Sequence, residues 1–328
     1  MVRPATHSDD PRLSGEGSLL SETDVGDLIP PEPQGGRGAR WKAVIGLAGL
    51  IGLAVAAFTS VDDARSQALP GWGPLLLAGG VQIVSVAFSA QAWVSLFPPD
   101  ADRRMLTRGL YTSQLTKYLP AGGFVQVASQ VALSSEPGGL ALAALRLPVF
   151  SMCSVVAAAT TGSLLALSDD LPTWGRVAAG AALLTVVVLD RRVLARVLGA
   201  ARRFISRLPE PTALPSQAAI LRCYGFALLN MVTYAGAFVL LLGDLADVDP
   251  LRVGAALGAG WAAGYLVLPL PSGLGVREGV LKVALPGIAI GSLLGASLAH
   301  RLLGLVAEGL LAGQAHLRSS LTRRAERA

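Results

Sequence analysis

The chain has 328 residues, of which 52% are hydrophobic and only 15% charged, with a mean hydropathy of +0.55. A soluble domain carries about a quarter charged residues, and a core of this size would leave too few polar residues to cover it, which argues against a soluble enzyme or binding domain. The net charge is +5 and the pI about 9.6, but the Arg and Lys flank apolar runs, which points to membrane orientation and anionic headgroups rather than nucleic acid.

Residues 1–40 are polar, with Pro30, Pro31, Pro33, Gly35 and Gly36 and no early apolar run. They read as a disordered cytoplasmic tail, not a signal peptide. The membrane region is expected over 41–317, and 318–328 is a basic cytoplasmic tail. Apolar runs near the length needed to cross about 30 Å of hydrocarbon give six full spans, at 41–60, 73–97, 141–167, 176–189, 220–242 and 287–313. The flanking charges orient them. Arg37, Arg40 and Lys42 place the first start inside. Asp62 and Asp63 lie outside, and Arg103, Arg104 and Arg108 return the chain inside. Asp169 and Asp170 lie outside, the Arg191 to Arg207 cluster inside, Asp244 to Asp249 outside, and Arg318 to Arg327 inside. Residues 191–208 are expected to lie on the membrane surface as an amphipathic helix. Both termini are then cytoplasmic. Cys153 and Cys223 sit in apolar segments without metal or redox spacing, and read as packing residues.

Two segments do not fit as simple spans. Segment 103–139 begins and ends inside and carries Pro120, Gly122 and Gly123; segment 250–286 begins and ends outside and carries Pro269, Pro271, Gly273 and Gly275. Pro blocks helix continuation and Gly permits tight turns. Broken backbone at membrane depth is tolerated only where protein buries it or water reaches it. Each segment is therefore a re-entrant pair of half-helices or a tight hairpin of two spans, which would make eight. The halves read span, span, broken segment, span, with opposite sidedness. The expected fold is all-α and polytopic, built as an inverted-topology repeat whose broken helices mark a transport site.

The stretch from Gln114 through Lys117, Tyr118 and Pro120 to Gly123 resembles the Lys-Tyr-Leu-Pro-Gly-Gly signature of the transmembrane domain family of lysylphosphatidylglycerol synthases. The stretch Pro271-Ser272-Gly273-Leu274-Gly275-Val276-Arg277-Glu278 resembles that family's Pro-x-Gly-Leu-Gly-x-Arg-Glu signature and is the stronger match. The resemblance covers about 40–318. It implies an integral membrane protein of the bacterial cytoplasmic membrane, related to domains that flip an aminoacylated phospholipid between leaflets. Other relatives are tied to glycolipid export and envelope polysaccharide synthesis. Ala121 departs from the Pro-Gly step, and Gln126, Ser129 and Gln130 stand where the family leads one to expect an Arg. Only about 15 residues follow the last span, too few for the aminoacyltransferase domain of bifunctional members.

The candidate substrate-binding residues are Pro271, Gly273, Gly275, Arg277 and Glu278 in the second break, and Lys117, Tyr118, Pro120, Gly122 and Gly123 in the first. Arg offers a planar fork of donors that suits phosphate, and glycines at a half-helix start expose amides to an anion. Glu278 would orient Arg277 or read a cationic amino group. The plainer reading is that Arg277 and Glu278 sit at the outer interface and satisfy each other, while Lys117 and Tyr118 anchor the inner one. Glu308, a lone carboxylate in the last span, would pair with Arg301 or His300 or serve proton coupling. Gln82, Gln91, Gln114, Gln126, Gln130 and Asn230 read as interhelical glue. No His-Glu-x-x-His, Gly-x-Ser-x-Gly or P-loop is present, so no catalysis, metal or cofactor is expected. The expectation is a flippase-like transporter of a lipid with an anionic phosphate headgroup. Its rival is an accessory protein that holds an envelope glycosyltransferase at the membrane.

Overall fold

The computed structural model of the protein describes residues 70–116, 122–134, 140–167, 171–202, 214–266 and 275–325. The tail 1–40, the first expected span at 41–60, and Lys117, Tyr118, Pro120, Pro271 and Gly273 lie outside the described residues. Among those described the chain is all helical. In chain order the helices are α1 Trp72–Val94, α2 Arg103–Thr116, α3 Gly122–Leu133, α4 Leu140–Ser163, α5 Thr173–Ala182, α6 Arg191–Arg202, α7 Gln217–Gly243, α8 Pro250–Leu266, α9 Val276–Ala284 and α10 Ile290–Ala325.

Four helical stretches are long and apolar enough to cross a membrane: Trp72–Val94, Leu142–Leu167, Gln217–Gly243 and Ile290–Leu321. Their outward faces carry Leu76, Leu77 and Val84 on α1 and Leu302, Val306 and Leu310 on α10, all exposed. In water such contiguous apolar faces would drive association; hydrocarbon is their matching solvent. Trp72 and Trp174 stand exposed at the starts of α1 and α5, where an interfacial belt places Trp. The expected span at 176–189 is shorter. It is α5 continued as a 3₁₀ turn, Leu183–Leu189, which together make an apolar stretch of 17 residues at Thr173–Leu189. The expected surface helix begins as α6, whose first turn is capped by the Asp190 carboxylate accepting from the Arg192 amide at 2.7 Å. The last helix runs 36 residues, so it continues through Arg318 into what the sequence reads as the basic tail.

α1 and α7 run antiparallel in contact along their whole lengths. The Gly71 amide donates to Asp244 Oδ2 at 2.7 Å, Ser85 Oγ donates to Asn230 Oδ1 at 2.8 Å, and the Phe88 and Phe226 rings stack at 6.4 Å. The glue role read for Asn230 is thus what its side chain performs. α4 packs on α7 and α8, and α10 packs on α1 and α2.

Each broken segment is an antiparallel helical hairpin. In the first, Thr116 Oγ1 lies 3.2 Å from Ser129 Oγ, and a Cβ at Gly109 would stand 2.6 Å from Ser134 Oγ. In the second, Arg252 Nε donates to the Ala284 carbonyl at 3.0 Å, and a Cβ at Gly260 would stand 3.1 Å from the Arg277 carbonyl. The four arms have 14, 12, 17 and 9 residues. At 1.5 Å per residue these are about 21, 18, 26 and 14 Å, each short of the roughly 30 Å hydrocarbon core.

The core divides into two main clusters at opposite ends of the long helices. One surrounds Trp93, Leu106, Leu110, Phe150 and Ile220 and includes Ala307 and Ala312 from the far part of α10. The other surrounds Phe238, Leu241, Leu257 and Leu281 and includes Ala78 from the start of α1 and Leu293 and Ala296 from the start of α10. The first cluster is built on the first hairpin and the second on the second.

Candidate functional site

Between the two clusters lies a layer of polar side chains, level with Gln82 near the middle of α1. Its central residue is Arg277, 5% exposed, near the start of α9. α9 begins there because Gly275 turns the chain with φ +86°, a conformation that costs a residue with a Cβ about 1–2 kcal/mol. Glu278, three residues on, accepts the Gly275 amide at 3.0 Å on Oε2. A carboxylate at this place satisfies an orphan donor and meets the positive end of the helix dipole. That amide is therefore occupied by the protein's own carboxylate, which corrects the expectation that the glycine turn leaves it open to an external anion.

The Arg277 guanidinium reaches away from its neighbour in sequence. Nη1 donates to Tyr234 Oη at 2.9 Å and Nη2 to Ser297 Oγ at 3.4 Å. Its carbon lies 5.8 Å from the Tyr234 ring centre and 5.7 Å from that of Phe238. Nε is buried without a hydrogen-bond partner. Glu278 Oε1 accepts from Arg301 Nη2 at 2.7 Å and from Ser297 Oγ at 3.1 Å. Arg277 and Glu278 thus share no direct hydrogen bond, which corrects the plainer reading that they satisfy each other, and they stand level with the middle of α1. Ser297 bridges them, accepting from the arginine and donating to the carboxylate.

Arg301 forms an ion pair with Glu278 at 2.7 Å. His300, fully buried on α10, meets Gln82 and the Tyr234 carbonyl, with Nε2 at 2.7 and 2.9 Å from them. Its ring packs edge-on against Tyr234 at 4.3 Å. Glu308 is itself buried, two turns beyond Arg301 on α10. Gly122 and Gly123 open α3.

Within this network two guanidiniums, Arg277 and Arg301, face one carboxylate, Glu278. The excess of positive charge, with an unused Nε at its centre, suits one anion of phosphate geometry. Tyr234 and Ser297 were not among the residues singled out from sequence, and Arg301 was named only as a partner for Glu308. Arg301 carried the one available signal, a formal charge inside an apolar run; the hydroxyls carried none. Among the described residues no group of His, Cys, Asp and Glu could hold a metal. No family model matches the chain, and no curated protein matches it.

Proposed function

We propose that this chain is a flippase-like transporter that moves a phosphate-bearing lipid between the leaflets of the bacterial cytoplasmic membrane. The lipid is a phospholipid, an aminoacylated lipid or a polyprenyl-linked glycolipid, and no covalent step is involved. The observation that carries this reading is the buried Arg277, held level with the middle of α1 on a helical hairpin with Nε unpartnered. A charged group there costs several kcal/mol unless a partner or water compensates it, and a scaffold has no use for it. The resemblance of the two broken segments to the lysylphosphatidylglycerol synthase transmembrane family points the same way.

We infer an inverted-topology repeat from the packing, and it accords with this reading. Exchange α1 with α7, α2 with α8, α3 with α9 and α4 with α10. The packing of α4 on α7 becomes that of α10 on α1, and α8 on α4 becomes α2 on α10. The contacts α1–α2, α2–α3 and α3–α4 become α7–α8, α8–α9 and α9–α10, and α1–α7 maps onto itself. The packing of α7 on α10 has no comparably extensive counterpart. Antiparallel α1 and α7, and hairpins that build opposite clusters, are what a two-fold axis in the membrane plane would produce. On this reading both hairpins are re-entrant and approach the polar layer from opposite faces.

The test is leaflet exchange of labelled phosphatidylglycerol, lysylphosphatidylglycerol and a polyprenyl phosphate in vesicles that contain the purified chain. Protein-dependent exchange of at least one, lost in Arg277→Gln, is the expected result. Exchange no faster than in protein-free vesicles for all three would overturn it and favour the accessory-protein reading.

A further inference from the structure

A second buried guanidinium lies away from the polar layer. Arg146, in the first third of α4, is only 7% exposed, and its Nε and Nη1 have no hydrogen-bond partner. Its cationic carbon sits 4.7 Å over the Phe97 ring. Phe97 packs on Trp93 at 4.9 Å, and so does Phe150, one turn from Arg146 on the same face of α4, at 5.5 Å. A stacked ring offsets part of the burial of a cation, but it accepts none of the N–H groups in the guanidinium plane.

A second orphan donor belongs to the same neighbourhood. Gln130 on α3 is 2% exposed and its Nε2 has no partner. One turn further on, Ser134 Oγ accepts from Trp93 Nε1 at 3.3 Å. Three unpaired N–H-bearing nitrogens, two from Arg146 and one from Gln130, thus lie within one helical turn of residues that touch Trp93. All of them seek acceptors, and two belong to one positively charged group. Buried donors left without partners are rare, and the ligand class that meets this set is an oxyanion with several acceptor oxygens. The cluster around Trp93 is the one built on the first hairpin, at the end opposite Phe238.

We propose that Arg146 and Gln130 form a second headgroup site, which takes the phosphate of a phospholipid on the cytoplasmic half of the protein before it reaches Arg277. The inference rests on the transporter reading for its place in a route, though not for the anion chemistry itself. Lys117 and Tyr118, the residues expected to serve this side, lie outside the described residues. Inorganic phosphate offers the same oxygens without acyl chains and is the comparison ligand.

The experiment titrates the purified full chain in detergent with dioctanoyl phosphatidylglycerol, dioctanoylglycerol and inorganic phosphate, reading calorimetric binding and the unfolding temperature. The phospholipid should bind and the phosphate-free diacylglycerol should not. Arg146→Met should weaken phospholipid binding about tenfold or more, with partial recovery in Arg146→Lys. Its unfolding temperature without lipid should stay or rise, because an unpaired buried charge is removed; a structural cation would lower it. Gln130→Leu, which breaks no hydrogen bond of the amide nitrogen, keeps the test open if Arg146→Met does not fold, and should also weaken binding. Phosphatidylglycerol binding at wild-type strength in both folded variants would overturn the inference. Binding of inorganic phosphate with no binding of the phospholipid would overturn its lipid source. Leaflet exchange in the same preparations separates the two claims. Arg146-dependent binding without exchange would sink the transporter reading and keep this site; exchange with unchanged binding in Arg146→Met would do the reverse.

Discussion

Arg277 and Glu278 are neighbours in sequence, and that adjacency invites the idea of an ion pair. On a helix, residues i and i+1 project about 100° apart and do not face each other. The two side chains accordingly diverge, one to Tyr234 and Ser297, the other to Arg301 and the Gly275 amide. Different consequences follow for each. Arg277→Gln should cut lipid exchange about ten- to a hundredfold, the worth of a charge-assisted contact of roughly 1.5–3 kcal/mol. Arg277→Lys should recover only part of it, since Lys lacks the fork. Proteoliposome exchange rates, with monodispersity in detergent as the folding control, check this; wild-type rates in Arg277→Gln would remove the residue from the route. Glu278 already serves Arg301, Ser297 and the helix start, so Glu278→Gln should slow every lipid alike rather than only aminoacylated ones. A double-mutant cycle of Glu278→Gln with Arg301→Gln should give a stability coupling of about 1–3 kcal/mol. A coupling near zero in thermal unfolding would mean that the 2.7 Å pair holds nothing in place.

At the scale of elements, four of the six expected spans were legible because hydrocarbon thickness sets helix length, and both expected breaks fall between described helices. The expected span at 73–97 is α1, and that at 220–242 lies within α7. Less legible was which helices touch, since apolar residues in a membrane carry no pattern that distinguishes lipid from a neighbouring helix. The α4–α8 contact illustrates this. A Cβ at Gly162 would stand 2.8 Å from the Ala259 amide nitrogen, and one at Gly258 would stand 2.9 Å from the Ala158 carbonyl oxygen. Small residues let backbones approach in this way, yet these are two of 38 glycines in the chain, and composition does not single them out. Gly258→Ala should force the helices apart and cost on the order of 1–3 kcal/mol. Gly225, whose added Cβ would meet nothing within 4 Å, should accept Ala without loss. Equal unfolding temperatures for the two variants would show that α4 and α8 can separate freely.

For the whole molecule, charge sets the expected orientation and packing sets the antiparallel pairing of helices, and these are independent. Charge placed the expected second span running inward and the fifth running outward. The antiparallel register of α1 and α7, tied at Gly71–Asp244 and again at Ser85–Asn230, agrees without any reference to Arg or Lys. What charge could not reveal was the polar layer itself, because Tyr234, Ser297 and Arg277 come from three helices and meet only after folding. Packing, for its part, fixes which ends lie together but not which side of the membrane they face. That remaining choice is decided by labelling. Asp100 and Asp247 are exposed and follow α1 and α7, so they should lie at opposite faces. The two native cysteines are buried and give little background. Asp247→Cys should react with a membrane-impermeant maleimide in intact cells, whereas Asp100→Cys should react only after permeabilisation. The reverse pattern would invert the orientation and move the Arg146 site to the outer half, which would sink its role as the cytoplasmic entry point. Labelling of both positions from outside would mean that α1 and α7 do not both cross the membrane, and the inverted repeat would fall with them.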